Sequence, residues 1–192
     1  RFELAKVVRF DKFESIDIRW KDSDLEPLIN KRIKHFSNNT LDLEKLIEND
    51  NDKKELIKIS HNSPRDLISV LGVIYNEQSN NNQHVNKFEG KYISSGLINF
   101  SSNFNYDSIY PSKSSKNKDI KAMINRILKI RLNRFHIKHL SDTYNQRTAK
   151  SEGQIKLMIQ YKLIREDEVL GENKIRYYDV IDPKVEYLVR RG

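Results

Sequence analysis

Residues 136–180 constrain the fold more tightly than any other stretch. Ile137 to Tyr144 has helical spacing, and Asn145-Gln146-Arg147 reads as a turn. A second helix starts at Thr148 or at Ser151, whose partner Gln154 would complete a capping box. It runs into the apolar-ending segment Ile155-Lys156-Leu157-Met158-Ile159-Gln160-Tyr161-Lys162-Leu163-Ile164. A polar hairpin turn, Leu170-Gly171-Glu172-Asn173, and a strand, Lys174 to Val180, follow directly. Just upstream, Ile120, Met123, Ile124, Ile127 and Leu128 define an amphipathic helix. Together these elements predict a compact unit of three helices and a hairpin. Asp182-Pro183 then opens a short closing helix, Lys184 to Val189.

Charge is concentrated in the same region. The chain carries a net charge of +8 over 192 residues. From Lys113 to Lys150 there are eleven basic residues, and the only acids are Asp119 and Asp142. That segment holds all the excess charge, and the remainder nearly cancels. A concentrated cationic surface attracts polyanions over a Debye length of about 8 Å. The alternative is an ordinary solvated helix face.

Composition excludes several classes. With no cysteine there is no disulfide framework, thiolate nucleophile or cysteine zinc site. No apolar run approaches the ~18 residues of a membrane span, and the first residues lack the apolar core of a signal peptide. A cytoplasmic location is the expectation. The missing initial Met and the strand-like opening suggest a piece of a longer protein.

Upstream of the basic region the pattern is mostly helical. Ile16 to Trp20 alternates with period two, which predicts a strand with Trp20 as a core anchor. Ser23 and Glu26 suggest a capping box, with Pro27 in the first turn of a helix. Leu25, Leu28, Ile29, Ile33 and Phe36 would line one face of it. Leu41 to Ile47 and Lys53 to Ile59 read as short helices. Ser63-Pro64-Arg65-Asp66 is a strong helix start, with Ser at the N-cap, Pro at the first position and an acid at the third. Apolar residues on most sides of the helix that follows (Leu67, Ile68, Val70, Leu71, Val73, Ile74) predict a central, buried element. Phe88 to Phe104 is also expected to be helical. The composition of Pro111 to Lys118 marks a linker.

Two separated segments carry a family resemblance. Asn62-Ser63-Pro64-Arg65 at the start of a buried helix resembles the sensor-2 region of AAA+ and STAND-type P-loop ATPases. The 136–180 succession resembles a winged helix, which commonly follows the helical lid in such proteins. The resemblance implies a mainly α (α+β) chain: the end of a truncated upstream core with a short strand at 1–22, a helical lid-like bundle at 23–111, and a winged helix-turn-helix domain at 112–192. It also implies that Arg65 senses nucleotide, with ATP and Mg²⁺ held in a core outside this chain. No Gly-x-x-x-x-Gly-Lys-[Ser/Thr] occurs here, since glycines at 72, 90, 96, 153, 171 and 192 allow no such spacing. The chain itself is therefore expected to be non-catalytic, and no acid–base pair or nucleophile ordering stands out.

Duplex DNA is the expected partner. The candidate contacts are Arg126, Lys129, Arg131, Arg134, Lys138, Arg147, Lys150, Gln154, Lys156, Gln160, Lys174 and Arg176. If Ile155, Leu157 or Met158, and Ile159 face the core, then Lys150, Gln154, Lys156 and Gln160 face solvent. Lysine would meet phosphate and glutamine could pair with adenine. Glu166, Asp167, Glu168 and Glu172 oppose DNA at the wing. His136 and His139 are read as polar surface or phosphate contacts, since no third metal ligand accompanies them. Two other readings stay open. One is a module that docks on its own ATPase core or a neighbouring subunit; the other is a free-standing helix-turn-helix regulator.

Overall fold

The computed structural model describes residues 20–83, 86–106, 114–167 and 175–192. The strand expected at 16–20, apart from Trp20, lies outside these residues, as do Lys174 and the hairpin turn at 170–173. The described chain is mainly helical, with one small antiparallel sheet. Among the described residues no helix is long and apolar enough to cross a membrane.

The first half packs five helices: α1 (Asp22–Phe36), α2 (Leu43–Leu46), α3 (Asp50–Ser60), α4 (Pro64–Asn81) and α5 (Gly90–Ser102). The expected Ser23 cap is displaced. Asp24 reaches back to accept a 2.9 Å hydrogen bond from the Lys21 amide, so the helix begins at Asp22. Pro27 consequently falls in the second turn, not the first. Leu25 and Ile29 are buried, whereas Phe36 is 76% exposed and Trp20 43% exposed. Trp20 is therefore not the core anchor its strand-like context suggested.

At α4 the Ser63 hydroxyl accepts from the Asp66 amide at 3.2 Å, with Pro64 in the first turn. His61 and Asn62 turn the chain into it through left-handed conformations (φ 49° and 59°), which Asn tolerates better than most residues. Leu67, Val70 and Ile74 are fully buried, and α4 packs against α1, α3 and α5. The densest of these contacts is with α5, where Gly96 lies directly against Ile74.

The second half runs α6 (Ser114–Ile130), β1 (Arg134–His136), α7 (Ile137–Thr143), α8 (Thr148–Gln160), β2 (Ile164–Glu166) and β3 (Tyr177–Val180). Helix α6 starts inside the expected linker. Strand β1 was not legible in the sequence. It pairs with β3, which also pairs with β2, giving the antiparallel order β1-β3-β2. Phe135 lies opposite Tyr178, and Ile164 opposite Val180. The sheet covers a core of Ile120, Ile127, Phe135, Leu140, Ile155, Met158 and Leu163.

Helix α9 (Pro183–Arg191) joins the two halves. Asp182 caps it by accepting from the Lys184 and Val185 amides, both at 3.0 Å. Val185 and Val189 enter the second core, while Tyr187 enters the first. Arg190 makes a forked pair with Glu55 of α3 (3.0 and 2.7 Å), and Lys58 bonds Glu186 at 2.7 Å. Lys184 is 1% exposed, 3.4 Å from the Asp66 carboxylate and 4.0 Å over the Phe104 ring. The last helix thus packs on the helical half as well as on its own.

Candidate nucleic-acid interface

Helix α8 is amphipathic about a different axis from the expected one. Ser151, Gln154, Ile155 and Met158 are buried, and Ile159 is 38% exposed. The inward face is rotated toward Gln154, which corrects its assignment as a base-reading residue. Its amide pairs with Gln146 in the α7–α8 turn: Gln146 Nε2 donates to Gln154 Oε1 at 2.7 Å. Gln146 also donates to Ser151 Oγ at 2.8 Å, and Ser141 of α7 donates to the same oxygen at 2.9 Å. Buried polar groups must be paired, so this network holds α7 against α8 at a set angle. Ser151 is a network member inside the helix, and the Ser151–Gln154 capping box does not form. The helix begins at Thr148 with Arg147 as its N-cap.

Lys150, Lys156 and Gln160 do lie on the exposed side of α8. Gly153 sits among them, and a Cβ added there would meet nothing within 4 Å. Lys138 of α7 and Arg147 in the turn are also exposed. Among the described residues Lys138, Arg147, Lys150 and Lys156 have no ion-pair partner. The exposed acids on these two helices are Asp142 and Glu152.

Several other candidates are occupied within the protein. Arg126 and Lys129 stack on the Tyr144 ring at 4.4 and 4.7 Å. Arg126 Nε and Nη1 are covered and have no hydrogen-bond partner among the described residues, so they are closed to an incoming phosphate. Arg134 pairs with Asp167 and lies 5.0 Å over Tyr177. Arg176 pairs with Glu166 at 3.4 Å. Arg131 adopts φ 59° and lines a 280 Å³ hollow with Ile98, Leu128, Leu188 and Arg191, apart from α8. Exposed Lys162 and Arg165 follow α8 and went unnoticed in the sequence, because nothing in their spacing marks the exit of a helix.

Arg65 is exposed, one residue into α4. It shares a 330 Å³ hollow with Asp66, Ser69, Asn99, Asn103, Phe104 and Asn105. Neither Asp66 nor Asp52 pairs with it; Asp66 faces Lys184 instead.

His136 and His139 are structural. His136 Nδ1 accepts from the Lys138 amide, and His139 Nδ1 accepts from the His136 amide, each at 3.2 Å. Both rings thereby cap α7. Among the described residues no group of three or more His, Asp or Glu side chains could hold a metal ion. Comparison with protein-family models, curated proteins and solved structures returns no match.

Proposed function

We propose that the second half is a winged-helix module that binds duplex DNA through the solvent face of α8. The reading is carried by Lys150 and Lys156, two exposed cations on one helix with no ion-pair partner among the described residues, whose opposite face is tied to α7 by Ser141–Ser151 and to the α7–α8 turn by Gln146. Support comes also from the order helix, strand, helix, helix, strand, strand, with the first strand beside the last. Gly153 lets a nucleic-acid backbone come close to that helix. Lys138 and Arg147 extend the cationic face. Arg134 and Arg176 are neutralised locally and contribute little. In the same reading the first half is a lid-like bundle of a P-loop ATPase whose core lies outside these residues, and Arg65, which has no ion-pair partner among the described residues, meets an anionic ligand. The exposed Ile159 is the feature that favours a protein partner for α8 instead.

Fluorescence anisotropy with labelled duplex DNA over a salt series tests the proposal. Affinity should fall linearly on a log–log plot against salt. Lys150→Glu combined with Lys156→Glu should weaken binding and reduce the slope by about 2 if each lysine meets one phosphate. Unchanged circular dichroism would show that the fold survives. Salt-independent retention, or unaltered affinity of the double variant, would overturn the assignment.

A further inference from the structure

His136 is both the last residue of β1 and the N-cap of α7, so strand passes into helix without a loop. A capping box normally uses Ser or Thr with Glu or Gln. Here both members are histidines, and both accept backbone N–H groups through Nδ1. An acceptor Nδ1 has no proton, which requires the neutral Nε2–H tautomer in each ring. The rings lie face to face but tilted by 34°, with centroids 3.8 Å apart.

We propose that the His136–His139 pair is an acid-released latch that holds the first turn of α7 to β1 while both rings are neutral. Three effects act in the same direction on protonation. An imidazolium has no Nδ1 lone pair, so the cap bond of that ring is lost. A positive charge at a helix N-terminus opposes the helix dipole. A second imidazolium 3.8 Å away would add like-charge repulsion.

The surroundings do little to offset this. Tyr177 of β3 meets the His136 ring edge-on at 5.5 Å. Arg134 of β1 lies 5.0 Å over the same Tyr177 ring and is itself paired with Asp167. Within α7, Lys138 disfavours the protonated form, and Asp142 is the one carboxylate that favours it. Burial, then His139, then Lys138 lower the His136 pKa from its ordinary 6.5. The unfolded chain therefore binds the proton more readily, so the latch is at full strength above about pH 6.5 and weakens below it.

The test is an NMR titration of the His136 ring in the full chain, with thermal and urea unfolding at pH 7.5 and 5.5. The ring should titrate below 6.5, and exchange of the Lys138 amide should quicken as it does. The unfolding constant should rise by up to about tenfold per pH unit below that value for a ring that excludes the proton. The double variant His136→Asn, His139→Gln supplies a non-titrating capping box and should flatten this slope while keeping the neutral-pH midpoint. Parallel slopes for variant and wild type would overturn the proposal. So would a His136 ring that titrates at or above 6.5 in the wild type, a result that needs no variant to fold.

Discussion

Gly96→Ala should destabilise the protein even though alanine is the better helix former. In an exposed helix interior the exchange stabilises by about 0.5–1 kcal/mol. At Gly96 the new methyl would sit 2.7 Å from Ile74 Cγ1 and 2.9 Å from Ile74 Cα. The side-chain atom could rotate away, but the Cα cannot. Relief to ordinary contact needs α4 and α5 to separate by about 0.6–0.8 Å. Ile74 is fully buried in the most extensive helix contact among the described residues, so the separation disturbs neighbours on both sides. Overpacking of this kind costs about 1–3 kcal/mol, which leaves a net loss centred near about 1 kcal/mol. Gly72→Ala in α4 is the control, because its methyl would meet nothing within 4 Å and should add about 0.5–1 kcal/mol. Urea unfolding of both variants should give midpoints displaced in opposite directions at equal slope. A Gly96→Ala protein as stable as wild type would refute a close α4–α5 contact at this position.

Two further outcomes concern the joint made by α9. Asp66→Ala leaves Lys184 buried without a countercharge and should cost about 3–5 kcal/mol. Adding Lys184→Met should restore much of the loss, as a denaturation cycle over the four proteins would reveal. Arg190's hydrogen bonds, opposed by burial, hold the Glu55 carboxyl below its ordinary 4.5. The stability this contributes is present above pH 4.5 and is lost as pH falls through the lower folded-state value. Glu55→Gln should therefore lower stability at pH 7, by under about 1 kcal/mol for so exposed a pair, and match wild type at strongly acid pH. A gap that persists under acid would assign the effect to packing.

Local chemistry made much of the chain readable. Ser63-Pro64-Arg65-Asp66 and Asp182-Pro183 state their helix starts within four residues, because capping depends on near neighbours alone. The apolar spacing of 67–74 was enough to make α4 central, and the cationic excess of the second half is a property of composition. Strand β1 was hidden for the opposite reason. Arg134-Phe135-His136 has too few residues to show a period, and it is extended because Asp179, Tyr178 and Tyr177 lie opposite it.

Which cations face outward was equally out of reach. Lys150 and Arg134 look alike in a sequence, yet Arg134 meets Asp167, thirty-three residues away, and Lys150 has no ion-pair partner among the described residues. Gln154 could be turned inward only once Gln146 was there to complete its amide. Burial periodicity, caps and net charge belong to the chain. The inward face of α8, the pairing of charges and the docking of α9 on both halves belong to the tertiary structure, because each depends on groups that only folding brings within a few ångströms.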